Sequence, residues 1–325
     1  MANPSMHVQV NEEGPREGFQ FERTRVPTDR KIALIDSLSK TGITRIRVAS
    51  FVNPKRVPGM ADADEVVRGL TRRPGVSYEA LWLNDQGFMR ALAASAWLDV
   101  HGNVSLSASE ALLVRNQGRT LAQQLDLQHQ AMELYHQHGV DVRRAAIQAA
   151  FGCNFEGDIP VQRALATVSM AKAIALEHGF NLDSVVLADS MAWATPLSIR
   201  RLVGAVQDAY PELAITLHLH DTRGMAVANA AAGLDMGVRS FDTSIAGLGG
   251  CPFAGHQGAA GNLCTEDLVF MCHEMGFDTG IELDALLESA RLAEDVVQHP
   301  LPGSVMRGGS LQALRVRAGR GVTTV

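Results

Sequence analysis

Residues 218–221 read His-Leu-His-Asp. Side chains alternate faces along a strand, so His218 and His220 stand on the same side. Two imidazoles at that spacing can hold a metal, or they can be an ordinary polar strand end. An acid beside a cation occurs near the N-terminus, as Arg16-Glu17 within GPREG. A glycine-rich stretch, GLGGCPFAGHQGAAGN (247–262), holds Cys251 and ends on Asn262. Glu17, His218, His220 and Asn262 together would offer one carboxylate, two imidazoles and one amide oxygen. Such a shell suits a six-coordinate divalent ion that keeps positions open for a substrate. Arg16 beside it would neutralise a developing oxyanion. Plain structural roles are also open. Arg16 and Glu17 could pair at the surface, Asp221 could cap a helix, and Asn262 could turn a loop. Cys251 could be an inert thiol, and Asp242 could satisfy a buried donor.

These residues lie far apart in the chain, so the elements that carry them decide the question. Short apolar runs at 7–10, 45–51, 76–83, 98–106, 140–151, 184–189, 214–221 and 239–247 read as strands. Helical patterns follow them at 27–42, 63–70, 85–96, 117–138, 160–179, 195–210, 224–237 and 264–276. Strands alternating with helices imply a parallel sheet, and eight such units imply an α/β fold of the (β/α)8 TIM barrel type. A doubly wound sheet is the competing architecture, but no GxGxxG turn follows the first strand. The expected division is a barrel over 1–280 and a C-terminal helical extension with a loose tail over 281–325. In such a barrel the active site lies at the C-terminal strand ends. Those ends carry Arg16, Glu17, Arg47, Ser50, Asn84, Ser109, Asp189, His218, His220 and Asp221. Arg47, Ser50, Asn84, Ser109 and Asp189 are the candidate substrate-binding residues. Once the last strand pairs with the first, Glu17, His218, His220 and Asn262 become neighbours.

Composition narrows the partners. Hydrophobic residues make up 46% of the 325, enough for a large core. The net charge of −6 and the lack of Lys/Arg runs argue against nucleic acid. The four cysteines form no CxxC pair, which suits a reducing compartment. No apolar run is long enough to cross a membrane. The N-terminus has no apolar signal region, so a cytoplasmic protein is expected.

The stretches GPREGFQ, KIALIDSLSKTGI, ASFVNPKRVPGMAD, FGCNFEG, HLHDTRGMAVAN, SIAGLGGCPFA and GNLCTEDLVFM carry a resemblance over roughly 12–296. By them the chain resembles 3-hydroxy-3-methylglutaryl-CoA lyase and its relatives among the metal-dependent TIM-barrel lyases and Claisen-type synthases. The resemblance implies cleavage of a 3-hydroxy-3-substituted glutaryl-CoA thioester to acetyl-CoA and a 3-oxo acid. It implies a Mg2+ or Mn2+ ion on Glu17, His218, His220 and Asn262, and catalytic roles for Arg16, His218 and Cys251. It also implies an acyl-CoA partner and a homodimer. Three features depart from the lyase pattern. Glu17 stands where the lyases have aspartate, as in homocitrate-type synthases. Arg47 stands where they have glutamate, and it could pair with Glu17 or read an anionic substrate group. The loop from Cys251 to Asn262 is longer and adds His256; Arg56 also replaces a usual tryptophan. The expectation is a lyase of non-standard specificity. A synthase joining acetyl-CoA to a 2-oxo acid is the alternative favoured by Arg16-Glu17. A barrel that binds a ligand without catalysis is the one favoured by Arg47.

Overall fold

The computed structural model describes residues 6–22, 24–250 and 261–319. Eight strands form one curved sheet: β1 (Gln9–Glu12), β2 (Arg45–Phe51), β3 (Ser77–Trp82), β4 (Gly102–Ser107), β5 (Val142–Gln148), β6 (Ser184–Asp189), β7 (Ala214–Leu219) and β8 (Ser240–Thr243). Their spatial order is β3-β2-β1-β8-β7-β6-β5-β4, with every pairing in this sheet parallel. Thus β1 lies between β2 and β8, and the sheet curls into a (β/α)8 barrel with helices outside. Apolar side chains such as Leu34, Ile35, Ile46, Leu217 and Phe241 are fully buried in its core. Among the described residues no helix is long and apolar enough to cross a membrane.

Local signals explain the element ends. The helix expected over 117–138 is the second of a pair: Glu110–Gln117, not expected as a helix, comes first, and Leu121–Gln137 follows. Gly118 takes φ 67° and closes the first, a conformation that costs glycine little. Thr120 and Gln123 open the second with a reciprocal capping box. The helix Leu283–Val297 packs on Thr28–Leu38, where Ser37 and Ser289 are hydrogen-bonded at 2.8 Å. Two short helices beyond it, Val305–Gly308 and Leu311–Arg317, went unread in the sequence. Arg315 ties the last to Glu274 at 2.7 and 2.9 Å.

β3 and β4 are the terminal members of the strand order. The edge of β4 is satisfied by side chains instead of a strand. Gln128 accepts from the Ser105 N–H at 2.7 Å, and Gln124 accepts from the Ser107 N–H at 3.3 Å. Gln124 also donates to the Ser105 carbonyl at 3.2 Å. A cavity of about 340 Å³ lies in this seam, lined by Trp82, Asn103, Gln124, Gln128 and Tyr135.

A charged cluster spans β2, β3 and β5. Glu79 receives Arg45 Nε at 2.6 Å, Arg47 Nη2 at 3.4 Å and Arg144 Nη2 at 3.5 Å. Burial alone would raise the Glu79 carboxyl, but Arg45, Arg144 and Arg47 hold it at about 2.

Two outcomes follow from these features. Gln124→Leu leaves two backbone groups of β4 without partners and should cost about 1–3 kcal/mol. That is read as a lower urea midpoint at unchanged slope; an unmoved midpoint would mean that water serves the edge equally well. The second concerns acid stability. The folded value of Glu79, about 2, lies below its ordinary 4.5. Its contribution is therefore present above 4.5 and lost as pH falls through that window towards 2. Glu79→Gln should be less stable than wild type at pH 7, and the gap should shrink on acidification. A gap that stays constant down to acid unfolding would refute the assignment.

Candidate active site

The sequence Glu12-Glu13-Gly14-Pro15-Arg16-Glu17 turns β1 into a one-turn helix at the C-terminal mouth of the barrel. Proline at its start suits that turn. The Glu12 carboxylate accepts from Gly14 N at 2.7 Å, Ile245 N at 2.9 Å and Thr265 Oγ1 at 2.6 Å. A Cβ on Gly14 would lie 2.6 Å from Glu12 Oε1, so any larger residue there would push that carboxyl out of its bonds. Burial pushes the Glu12 carboxyl up to about 8 despite these donors. This knot holds the start of the barrel against the segment after β8, and so presents Arg16 and Glu17 to β7.

His218 lies within β7 and His220 one residue beyond it. As the spacing predicts, both rings face one side: their Nε2 atoms are 3.3 Å apart. His218 Nε2 stands 3.7 Å from Glu17 Oε2, and His220 Nε2 3.9 Å from Glu17 Oε1. His218 Nδ1 donates to Asp242 at 3.1 Å, because a carboxylate can only accept. Asp242 is the register partner of His218 across the β7–β8 pair. Asn11 Nδ2 donates to the other Asp242 oxygen at 2.9 Å. A carboxylate behind a histidine in this way fixes the ring and its tautomer.

Asn262 pairs with His220 through an isolated antiparallel bridge, and its Nδ2 donates to Glu17 Oε2 at 2.7 Å. Its Oδ1 is buried with no partner. Half a turn of the amide would exchange the two atoms and aim the oxygen at Glu17 and the imidazoles. A cation among them is what would make that orientation favourable. Ligand atoms of Glu17, His218 and His220 already lie within 4.8 Å of one another. The donor set therefore fits a divalent ion.

The charges respond to this crowding. Burial would raise Glu17, but Arg16, His218 and His220 bring it down to about 2. Burial would lower His218, but Glu17 and Asp242 lift it to about 9. His220 falls to about 4, first through burial and then through the neighbouring positive charges of His218 and Arg16.

Arg16 is held between two acids, with Nη2 3.0 Å from Glu13 and 3.5 Å from Glu17. Arg47 does not pair with Glu17, as its position had suggested. Its partners are Glu13, at 2.8 Å, and Glu79. Ser50 is fully buried and its Oγ has no partner. Asp189 accepts from Trp193 N at 2.7 Å and Ala194 N at 3.0 Å, and burial raises it to about 6. Asn84 caps the helix Asp85–Ala93 by accepting from Gly87 N, and Ser109 caps Glu110–Gln117 by accepting from Leu112 N. Their side-chain oxygens are committed to backbone donors. Asp221 accepts from Ala226 N at 2.8 Å, the structural role open to it in the sequence. Cys251 and His256 lie outside the described residues.

The sequence reading passed over Glu13, Glu79, Arg45 and Arg144. For Arg45, Glu79 and Arg144 the signal was charge within otherwise apolar strands; Glu13 lies just past β1, at the start of the one-turn helix. Buried side-chain atoms without partners also mark the mouth. Among the described residues these are Arg16 Nε, Arg47 Nε, Ser50 Oγ, His220 Nδ1 and Asn262 Oδ1, with only Asn229 Oδ1 and Glu266 Oε1 elsewhere. Such orphans call for an explanation, and a bound ligand is one.

Comparison with known proteins agrees with this geometry. The HMGL-like family model matches residues 7–293. The mitochondrial hydroxymethylglutaryl-CoA lyase of Gallus gallus is 38% identical over 283 residues, covering 87% of this chain and 91% of that protein. A hydroxymethylglutaryl-CoA lyase of Bacillus subtilis is 35% identical over 295 residues, covering 91% and 95%. The structure of an HMG-CoA lyase from Acinetobacter baumannii, in complex with coenzyme A and 3-methylmalate, superimposes with a TM-score of 0.85. Its identity is 38%, with 95% of this chain and 97% of that chain covered. The chain belongs to the HMGL-like family, and its place among the hydroxymethylglutaryl-CoA lyases makes it a carbon–carbon lyase.

Proposed function

We propose that this protein cleaves a 3-hydroxy-3-substituted glutaryl-CoA thioester into acetyl-CoA and a 3-oxo acid. Glu17, His218, His220 and Asn262 would hold a Mg2+ or Mn2+ ion for that reaction. The observation that carries the reading is the convergence of both histidine Nε2 atoms on the Glu17 carboxylate, beside Arg16. When bound, such an ion polarises the substrate's tertiary hydroxyl and lowers its pKa.

The chain's own groups supply the rest. His218 gives its Nδ1–H to Asp242, so Nε2 is the nitrogen it offers to the site. Nε2 is thus the atom through which His218 would either hold an ion or exchange a proton. Cleavage sends the hydroxyl proton to a base and the C–C electron pair to a thioester enolate, which takes up a proton at carbon to give acetyl-CoA; until then its oxygen needs a fixed donor. Arg16 has one in reserve: its Nε is buried and unpartnered while its Nη2 is held by Glu13 and Glu17. A preorganised cation of this kind stabilises charge as it develops. Ser50 Oγ, also unpartnered, is a further donor for substrate oxygen.

Specificity differs from the usual pattern through Arg56 more than through Arg47. Arg47 is neutralised by Glu13 and Glu79, whereas Arg56 is exposed on the segment after β2.

The metal-loaded protein should release acetyl-CoA from one or more of a panel of 3-hydroxy-3-alkylglutaryl-CoA thioesters. EDTA should abolish the release and Mn2+ should restore it; silence across the whole panel would sink the reading. Asp242→Asn, which disturbs the support behind His218, should weaken Mn2+ binding by about 10–100-fold. Calorimetric titration with Mn2+ reads that change directly. An unaltered affinity would argue against His218 as a ligand.

A further inference from the structure

The carboxylate of Glu13 lies between two guanidinium groups. Arg16 Nη2 donates to its Oε2 at 3.0 Å. Arg47 Nη1 stands 2.8 Å from Oε1 and 2.9 Å from Oε2. The three side chains are only 3%, 10% and 14% exposed for Glu13, Arg16 and Arg47. Charges of alternating sign continue in both directions. Arg47 reaches Glu79, which also holds Arg45 and Arg144, and on the other side Arg16 reaches Glu17.

Within that line Arg16 has two acceptors of unequal use. Glu17, at 3.5 Å, also receives Asn262 and faces both histidines. Glu13 is closer; it makes no described hydrogen bond or ion pair with the histidines, although its charge helps to raise His218. A guanidinium that must meet a reacting oxygen needs an acceptor that stays put when the ion and substrate arrive. Glu13 can do this because Arg47 holds it from behind. Resting on the lyase function proposed above, we infer that Glu13 is a positioning residue for Arg16, and that Arg47 is its anchor. Glu13 never meets the substrate; it sets where the Arg16 donors point.

A purely structural role makes a different forecast, and two variants separate them. Glu13→Gln leaves Arg16 and Arg47 without the carboxylate between them. Glu13→Gln combined with Arg47→Gln removes one charge of each sign and restores the balance. If Glu13 only balances charge, the double variant recovers both stability and turnover. If Glu13 positions Arg16, the double variant recovers its urea midpoint but not its kcat.

We expect kcat of Glu13→Gln to fall about 100-fold, the scale of an ångström-sized misplacement, with KM changing far less. We expect the double variant to regain wild-type stability while kcat stays low. A kcat for Glu13→Gln within about threefold of wild type overturns the inference, as does recovery of kcat in the double variant. Wild-type thioester cleavage, measured first, tests the proposed function separately. If no thioester is cleaved, crystal structures of Glu13→Gln and the double variant still decide the point. A displaced Arg16 guanidinium in both supports positioning by Glu13, and an unmoved one refutes it.

Discussion

The position of β1 between β8 and β2 is the constraint on which the rest depends. Asn11 pairs in register with Asp242, and Glu12 with Thr243. The carboxylate of Glu12 then fastens Gly14, Ile245 and Thr265 to a single point. This brings Glu17 within hydrogen-bond reach of Asn262, 245 residues further along the chain. A slip of one residue in that pairing would send every β1 side chain to the opposite face. Asn11 would leave Asp242, and the support behind His218 would lose its own support. The site is thus assembled by strand register before any ligand is considered.

Burying this many charges is tolerable only because they alternate. Arg16, Arg45, Arg47 and Arg144 meet Glu13, Glu17, Glu79 and Asp242 through contacts and near contacts. Pairing offsets desolvation that a lone buried charge could not survive. The two ends of the arrangement differ. Glu79 is enclosed by three guanidiniums and has nothing further to bind. At the mouth, Arg16 Nε, Ser50 Oγ and Asn262 Oδ1 stay buried and unpartnered. The seam between β3 and β4 offers a useful contrast. There the chain supplies Gln124 and Gln128 to satisfy an open strand edge. Among the described residues no side chain does the same for Arg16 Nε, Ser50 Oγ and Asn262 Oδ1, and these are the atoms a ligand could satisfy.

Much of this was legible in the sequence, for local reasons. Alternation along a strand put His218 and His220 on one face without any tertiary information. Regular breaks between apolar runs exposed the eight repeating units, and closure of the barrel then brought Glu17 and Asn262 to the histidines. The inner charges were harder. Whether a strand residue points inward depends on register, and β2 shifts register between Arg47 and Ala49. Parity counted along residues 45–51 therefore fails halfway, and the partners of Arg47 could not be read from spacing. Asn84 and Ser109 show the opposite difficulty. They stand at strand ends, where a barrel keeps its site, yet those same positions begin helices, and both side chains serve as caps. The start of the helix expected from residue 117 was legible more sharply, from Gly118 as a stop and the Thr120 to Gln123 spacing as a capping box. The helix Glu110–Gln117 ahead of it was not expected, because its eight residues offer too short a period to stand out beside the end of β4.

Arg47 shows why single positions mislead at a charged site. A base on β2 where the resemblance leads one to expect an acid looks like damage to the neighbouring metal shell. The damage depends on where the compensating charge stands. Glu13 sits one turn before Glu17 and takes Arg47 on both carboxylate oxygens and Arg16 on one of them. Glu79 takes what remains of the Arg47 charge. Glu17 is consequently left to Arg16, the two imidazoles and Asn262, the groups that a ligand site requires. The electrostatics of such a site belong to the alternating line as a whole. A charge can move from one strand to its neighbour and leave the field at the reacting atoms largely intact, provided that its counter-charge moves with it.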